Sequence, residues 1–263
     1  MAGTLVLTSA EISSWMNGLF WPFTRIAAAL AIAPVFGARM VPVRVRLLIA
    51  VSLTLVVAPL LGPAPAVDAL SVTAVVVTIQ QMLIGLILGF GVQLVFAAFV
   101  LAGQTTAMGM GLGFASMVDP QNGVQVPVVG QYFVVTATLL FLAMNGHLAM
   151  IRVLVDSFEL LPVGTDALSR EAMNAVAHWG GRLFADAVLV ALPAVAAILL
   201  ANLSFGVVSR AAPQLNIFGV GFPVVMTLGF VALIFAVPNL LPQLQHMLDN
   251  SFSAIVDIEQ MSR

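Results

Sequence analysis

The chain has 263 residues, of which 61% are hydrophobic and only 8% charged, and its mean hydropathy is +1.12. Because ordinary soluble domains carry roughly a quarter charged residues, most of this chain's surface must face lipid or other protein. The net charge of −2 excludes a basic field for nucleic acid, and the absence of Cys and Lys excludes thiolate metal sites, cysteine catalysis and lysine-based chemistry.

Six apolar stretches stand out against the roughly 20 residues that a helix needs to cross a bilayer. They are Trp15–Phe36, Val45–Leu61, Leu70–Leu101, Val126–Met150, Leu183–Val208 and Leu215–Leu241. The sequence therefore predicts an all-α integral membrane protein with about six long apolar helices. No basic segment precedes the first stretch, so we expect it to be retained and not cleaved as a signal peptide.

Arginines mark the first apolar stretch and the linker that follows it. Arg25 lies inside the stretch, and because arginine is costly in lipid we expect it to face protein or water. The linker carries Arg39, Arg44 and Arg46, and the positive-inside rule places such a loop in the cytoplasm. That orientation puts the N-terminus on the outer side.

The third stretch is too long for one upright span, since about 32 helical residues reach about 48 Å against a hydrocarbon core of about 30 Å. It either extends beyond the bilayer or folds back. Gln81, Gly85, Gly89 and Gln93 recur at four-residue steps and form a stripe of small and polar residues on one helix face. Such stripes allow close approach between helices, so helix packing is favoured here over a path for a polar solute.

Glycine alternates with large apolar residues after the third stretch. The residues concerned are Met108, Gly109, Met110, Gly111, Leu112, Gly113 and Phe114. Glycine at this density permits unusual backbone angles, methionine adapts to many surfaces, and irregular backbone at membrane depth is tolerated only inside protein or along a cavity. The segment is either an ordinary exposed loop or a compliant apolar gate.

The most polar part of the chain follows the fourth stretch, at residues 152–182. Ser169 with Glu171 and the helix-forming run behind them predict a short, solvent-exposed helix. Past Pro238 the chain is predicted to stay helical and to become amphipathic, with Glu259 off the apolar stripe.

The sequence contains no motif that is typical of an enzyme. Neither G-x-S-x-G nor H-E-x-x-H occurs, and the three histidines lie far apart in the sequence. The run GMGLGF is not G-x-G-x-x-G, and it follows an apolar helix instead of a strand, so a dinucleotide site is not supported. We predict no enzymatic activity, no cofactor and no metal.

Several motifs, taken in order, resemble the FliR/SctT family of type III export gate components over nearly the whole chain. They are WPFTRIAAALAIAPVFGARMVPVRVRLLIA, QQMLIGLILGFGVQLVFAA, GLGFASMVDP, LLFLAMNGHLAMIRVLVDSFELLPVG and RAAPQLNIFGVGFP. The last motif, with the DP and NGH elements before it, is highly specific.

The resemblance implies a core subunit of the flagellar export gate, in the bacterial inner membrane at the flagellar basal body. Family members assemble with FliP and FliQ, as tilted helical hairpins, into a closed ring around the channel for unfolded flagellar proteins, with FlhB and FlhA as neighbours. It further implies a FliP-like part at about residues 1–182, followed by a FliQ-like hairpin and amphipathic tail at residues 183–263.

The resemblance also assigns roles within the chain. The plug loop of the family corresponds to Gln104–Asn122, with its apolar constriction at Met108, Met110, Leu112 and Phe114. Arg210 and Pro213, in the last motif, are expected to serve assembly.

Two other functions stay open from the residues alone. A small-solute secondary transporter would use Asp186, Arg210 and the glutamine stripe. A purely structural membrane scaffold would use none of them. Because no nucleotide motif is present, the export hypothesis requires that the energy comes from another component.

Overall fold

In this computed structural model the described residues are 16–61, 67–68, 71–113, 128–164, 168–211 and 221–261. Within those ranges the chain forms helices and turns, without a strand. A π-helical turn (Met16–Phe20) leads into α1, and a 3-10 turn (Ala58–Leu60) follows α2. The helices are α1 (Trp21–Ile32), α2 (Val43–Val57), α3 (Val72–Gly109), α4 (Val128–Ala143), α5 (Gly146–Leu160), α6 (Arg170–Ala211) and α7 (Phe222–Met261).

Four helical segments of the described chain are long and apolar enough to cross a membrane, or five if α4 and α5 together count as one span. The predicted all-α membrane class is therefore confirmed, whereas the count of about six long helices is not. The first apolar stretch forms the π-helical turn and the 12-residue α1, which ends before the chain turns at Pro34–Gly37. The fourth is interrupted where Asn145 adopts a left-handed φ of 58°.

The longest helices exceed the thickness of a bilayer. Helix α3 has 38 residues, α6 has 42 and α7 has 40. At 1.5 Å per residue they reach about 57, 63 and 60 Å, against a hydrocarbon core of about 30 Å. Helix α3 is thus one continuous helix that does not fold back.

The predicted separate helix after Ser169 is wrong, because that segment forms the first turns of α6. The Ser169 hydroxyl caps the helix, accepting a hydrogen bond from the Ala172 N–H at 3.0 Å, while its carbonyl accepts one from the Met173 N–H at 3.1 Å. The polar run that follows remains helical and continues into the apolar run without a break. Polarity changes along α6 without a change of secondary structure.

The chain divides into two compact units that interleave along the sequence. Unit 1 comprises Met1–Gln93, Asn145–Trp179 and Asn250–Arg263, and unit 2 comprises Leu94–Met144 and Gly180–Asp249. Helices α3, α6 and α7 contribute residues to both.

In unit 1, α1 packs against α3. The fully buried Trp21 side chain lies against Ala74 and Val77, and its indole N–H donates a hydrogen bond to the Thr78 hydroxyl at 3.0 Å. A buried indole needs such a partner, so the bond fixes the orientation of the ring. Helix α1 is short, and this contact anchors its first turn.

In unit 2, aromatic rings join α3 to α4. Phe96 and Phe141 meet edge to face with centroids 5.4 Å apart, a preferred geometry for aromatic pairs. Further along α3, a Cβ built on Gly103 would lie 2.5 Å from the Cα of Gly130. The two backbones therefore approach at a distance that only glycine permits.

Proline inside α6 is compensated from α7, also within unit 2. Pro193 has no N–H, so the carbonyl of Leu189, four residues earlier, loses its helical partner. The Gln243 side-chain amide donates a long hydrogen bond of 3.5 Å to that carbonyl. Neighbouring helices commonly satisfy backbone groups that proline frees in an apolar environment.

The end of α7 is amphipathic, as predicted, with one correction. Leu240, Leu244 and Ile255 are buried on its apolar face. Glu259, predicted to lie off this face, is only 2% exposed. It lies one turn beyond Ile255 and so belongs to the same face.

Candidate functional site

The segment predicted as a gate begins as an ordered helix ending. Gly111, with φ +79°, terminates α3 in the left-handed conformation. Its N–H donates to the Met108 carbonyl at 3.0 Å, and the Leu112 N–H donates to the Ala107 carbonyl at 3.0 Å. These two bonds define a Schellman motif, in which glycine is the favoured left-handed residue. The backbone up to Leu112 is therefore held by the end of α3.

Three side-chain contacts fix this turn inside unit 2. Met110 is fully buried, and its side chain fills the space where Gly229 of α7 lacks a Cβ. The ring of Phe222 lies so close to Gly111 that an added Cβ would meet it at 2.6 Å. Gly109 faces Ile198 of α6, with 3.3 Å to an added Cβ. The turn is thus packed between α6 and α7.

The apolar residues of the expected constriction lie in different environments. Met110 is buried against α7, whereas Met108 is 71% exposed. Leu112 and Gly113 are half-buried, and Phe114 lies outside the described residues. In this arrangement Met108 presents an apolar side chain away from the packed turn, and Met110 anchors it.

The stripe of small and polar residues on α3 faces α1 within unit 1. A Cβ added to Gly85 would overlap the Arg25 carbonyl and lie 2.9 Å from the Ala28 Cβ. One added to Gly89 would overlap the Ala29 carbonyl. The backbones of α1 and α3 therefore meet at these two glycines. Gln93, at the end of the stripe, is half-buried.

Arg25 is the centre of a buried polar cluster in unit 1. Its side chain is fully buried and makes four hydrogen bonds. Nε donates to the Gln81 side-chain oxygen at 2.8 Å, and Nη1 donates to the Ser157 carbonyl and hydroxyl at 2.8 and 3.2 Å. Nη2 donates to the Leu161 carbonyl at 2.8 Å, and the guanidinium lies 4.2 Å from the Phe158 ring centroid.

This geometry explains how an arginine is tolerated in an apolar helix. The guanidinium caps the C-terminus of α5, where exposed carbonyl lone pairs and the negative end of the helix dipole favour a cation. Gln81 of the stripe supplies the acceptor on α3. Of the two predicted environments, protein or water, Arg25 faces protein. Its side chain joins α1, α3 and α5.

The remaining expected site residues belong neither to the turn at the end of α3 nor to the polar cluster around Arg25. Arg210 is exposed at the last turn of α6, and Pro213 lies outside the described residues. Asp186, the carboxylate of the transporter alternative, lies in unit 2 one turn after Arg182. Among the described residues, no group of three His, Asp or Glu side chains is arranged to hold a metal ion.

Sequence reasoning missed two parts of this arrangement. It did not connect Arg25 with Gln81, and it placed Glu259 on the polar side of its helix. The spacing of four residues from Ile255 was the available signal for Glu259, because such neighbours share a helix face. No local signal connects Arg25 with a residue at the other end of the chain.

The class of this all-helical membrane protein, the bacterial export proteins, is given by comparison with known sequences. Residues 16–251 match the family model described as "Bacterial export proteins, family 1". The chain is 39% identical to the flagellar biosynthetic protein FliR of Escherichia coli (strain K12) and 40% identical to that of Pectobacterium carotovorum subsp. carotovorum, in both cases over 97% of each chain. It is 30% identical to FliR of Bacillus subtilis (strain 168), over 81% of this chain and 83% of the relative.

The chain therefore belongs to the FliR family of bacterial export proteins. This is a family of flagellar export components and not of enzymes, and its members are membrane proteins of the flagellar apparatus. A component of this kind works together with other proteins of the export apparatus.

Proposed function

We propose that this chain is a core subunit of the flagellar type III export gate, which forms with FliP and FliQ the channel for unfolded flagellar proteins. FlhB and FlhA are its neighbours, and the assembly lies in the inner membrane at the flagellar basal body. The family match over most of the chain supports this role. In the same proposal, residues 1–182 form the FliP-like part of the chain and residues 183–263 form its FliQ-like part.

The apolar surface that the helices expose supports a subunit role. Only 17% of the residues in the apolar window of the α2 segment, and 28% in those of α6 and α7, are buried inside this chain. On α6, Leu199, Leu200 and Leu203 are each more than 60% exposed. Such surface must be covered by lipid or by neighbouring subunits.

Within the channel, this chain contributes the plug that closes it. The plug role is supported by the contrast between two methionines. Met108 is 71% exposed, whereas Met110 anchors the turn against Gly229. An export gate must hold back water and ions and still pass chains of varied sequence. A flexible apolar side chain on a glycine-capped turn closes a path by dewetting and yields without selecting a sequence.

The gate is tested by replacing Met108 and measuring ion leakage through the assembled complex in a planar bilayer or in vesicles. Met108→Asn leaves the anchor at Met110 intact, and we expect it to raise the resting conductance while the complex still assembles. Met40, which is 94% exposed in the linker after α1, provides the matched control Met40→Asn, for which we expect unchanged conductance. Equal conductance of the two variants would reject Met108 as part of the plug.

A further inference from the structure

Glu259 is a buried carboxylate without a hydrogen-bond partner among the described residues. It is 2% exposed in the last turns of α7, and neither of its carboxylate oxygens accepts a hydrogen bond from that part of the chain. A buried polar group that lacks a hydrogen bond is destabilising, and a buried charge needs a compensating charge. The burial of the Glu259 carboxylate must therefore be explained by the charged groups around it.

The compensating charge is Arg25. Ala29, one turn after Arg25, and Ile255, one turn before Glu259, line one cavity together with Leu154 of α5, so α1, α5 and the end of α7 pack side by side. Arg25 is the positive group that acts electrostatically on Glu259, and Glu259 acts on Arg25 in return.

The guanidinium donates its hydrogen bonds to Gln81, Ser157 and Leu161, all of which are neutral acceptors. These bonds and the negative end of the α5 dipole meet the guanidinium with partial charges only, so a full negative charge is still needed to balance it. Glu259 supplies that balance through space.

Asp156 is the second charged group that acts on Glu259, and it has the same sign. It lies on α5 and forms an ion pair with Arg152 at 3.8 Å, with both side chains more than half exposed. Solvent and that ion pair screen Asp156 from the buried pair. Of the two charged groups that act on Glu259, Arg25 is therefore the buried one and the one of opposite sign.

The two charges come from opposite ends of the chain. Unit 1 is built from three separate segments, and Arg25 belongs to the first while Glu259 belongs to the last, Asn250–Arg263. Without that last segment, Arg25 would be held among neutral groups with its charge unbalanced. Removing one partner of a buried charge pair is strongly destabilising, whereas removing both is often nearly neutral.

We propose that Arg25 and Glu259 form a completion latch, in which the last turns of α7 dock into unit 1 because they bring the charge that its buried arginine lacks. The N-terminal helix of the unit and the C-terminal end of the chain are thereby coupled. A chain whose end is absent or undocked is left with an uncompensated buried cation in an otherwise apolar helix. This coupling does not depend on the plug or on the channel.

The test uses the absence of native cysteine. Ala254, 7% exposed on the buried face of α7, is replaced by cysteine, and its rate of modification by a membrane-permeant maleimide is measured in membranes that contain the full chain. The cysteine reacts when the end of α7 undocks. We expect Glu259→Gln, which keeps the shape and removes the charge, to raise this rate by about tenfold or more.

The matched control is Asp257→Asn, which neutralises an exposed carboxylate two residues away on the same helix. We expect it to leave the labelling rate unchanged. Equal rates for Glu259→Gln and Asp257→Asn would overturn the latch.

A charge cycle separates the latch from simple packing. In an Arg25→Gln background, Glu259→Gln should no longer raise the labelling rate, because no unbalanced cation remains. In an Arg25→Lys background, which keeps the positive charge, Glu259→Gln should still raise it. If Glu259→Gln speeds labelling as much in the Arg25→Gln background as in the native one, or has no effect in the Arg25→Lys background, the side chain acts by packing alone and the proposal fails.

Discussion

The contact of α1 with α3 at Gly85 allows a sharp test of the packing in unit 1. We replace Gly85 by alanine, which adds one methyl group to a helical position where alanine is otherwise the better helix former. The built Cβ overlaps the Arg25 carbonyl and lies 2.9 Å from the Ala28 Cβ. Carbon atoms pack best at about 3.5 to 4.0 Å, so the helices must separate by several tenths of an ångström or more.

The expected cost follows from this overlap. Overpacking of a tight contact costs about 1–3 kcal/mol, and the helix propensity of alanine returns at most about 1 kcal/mol. The Arg25 hydrogen bonds lie at the same contact, so a shift of α1 also strains the bond to Gln81. Thermal unfolding in detergent should show a midpoint lowered by several degrees, at about 2–4 °C per kcal/mol for a chain of this size.

Gly181 provides the matched control for this substitution. It is an exposed helical glycine in α6 where an added Cβ meets nothing within 4 Å. Gly181→Ala should keep or raise the unfolding midpoint, since only the helix propensity changes. If Gly85→Ala unfolds at the same temperature as Gly181→Ala or higher, the close approach of α1 and α3 is wrong.

Three further substitutions test other contacts by the same unfolding measurement. Val35, a β-branched residue with φ 68°, is strained, so Val35→Gly should raise the midpoint, and a lowered midpoint would contradict the strain. Ser169→Ala removes the N-cap of α6 and should cost about 1 kcal/mol, whereas the exposed Ser204→Ala in mid-helix should be nearly neutral. Met110→Ala should cost about 2–5 kcal/mol and Met108→Ala less than about 0.5 kcal/mol; similar losses would show that the turn is not anchored as described.

The class of fold could be predicted because hydropathy acts over whole segments. A chain with so little charge and such long apolar runs must form helices that are hidden from water. Arg25 could likewise be predicted to face protein or water, because an arginine exposed to lipid is too costly. Both inferences depend on the composition of one continuous stretch and on no distant residue.

The lengths of the helices could not be read from the same signal. Polar residues at the start of α6 suggested a separate helix, but Ser169 caps one helix that continues through the apolar run. Helix α1, in contrast, is shorter than its apolar stretch, because Pro34 and the turn at Val35 end the helix inside it. Hydropathy reports the environment of a segment, whereas caps and turns set its ends.

The polar cluster around Arg25 depends on contacts between segments far apart in sequence. Ser157 and Leu161 each accept one of its hydrogen bonds through a backbone carbonyl, which leaves no trace in the residue type, and the Ser157 hydroxyl accepts a further one. Glu259 is buried in the same unit as Arg25, although nothing near either residue in the sequence indicates the other. Partners of this kind can be identified only when the chain is folded.

The central claim, that this chain is one subunit of a heteromeric export channel, is tested most directly by co-purification. The full-length chain with an affinity tag is produced alone and together with FliP and FliQ, and the products are separated by size in mild detergent. The proposed function predicts one stable complex that contains all three proteins, and an unstable or monomeric product when the chain is produced alone. A monodisperse, functional homodimer of the chain alone, with no retention of FliP or FliQ, would contradict it.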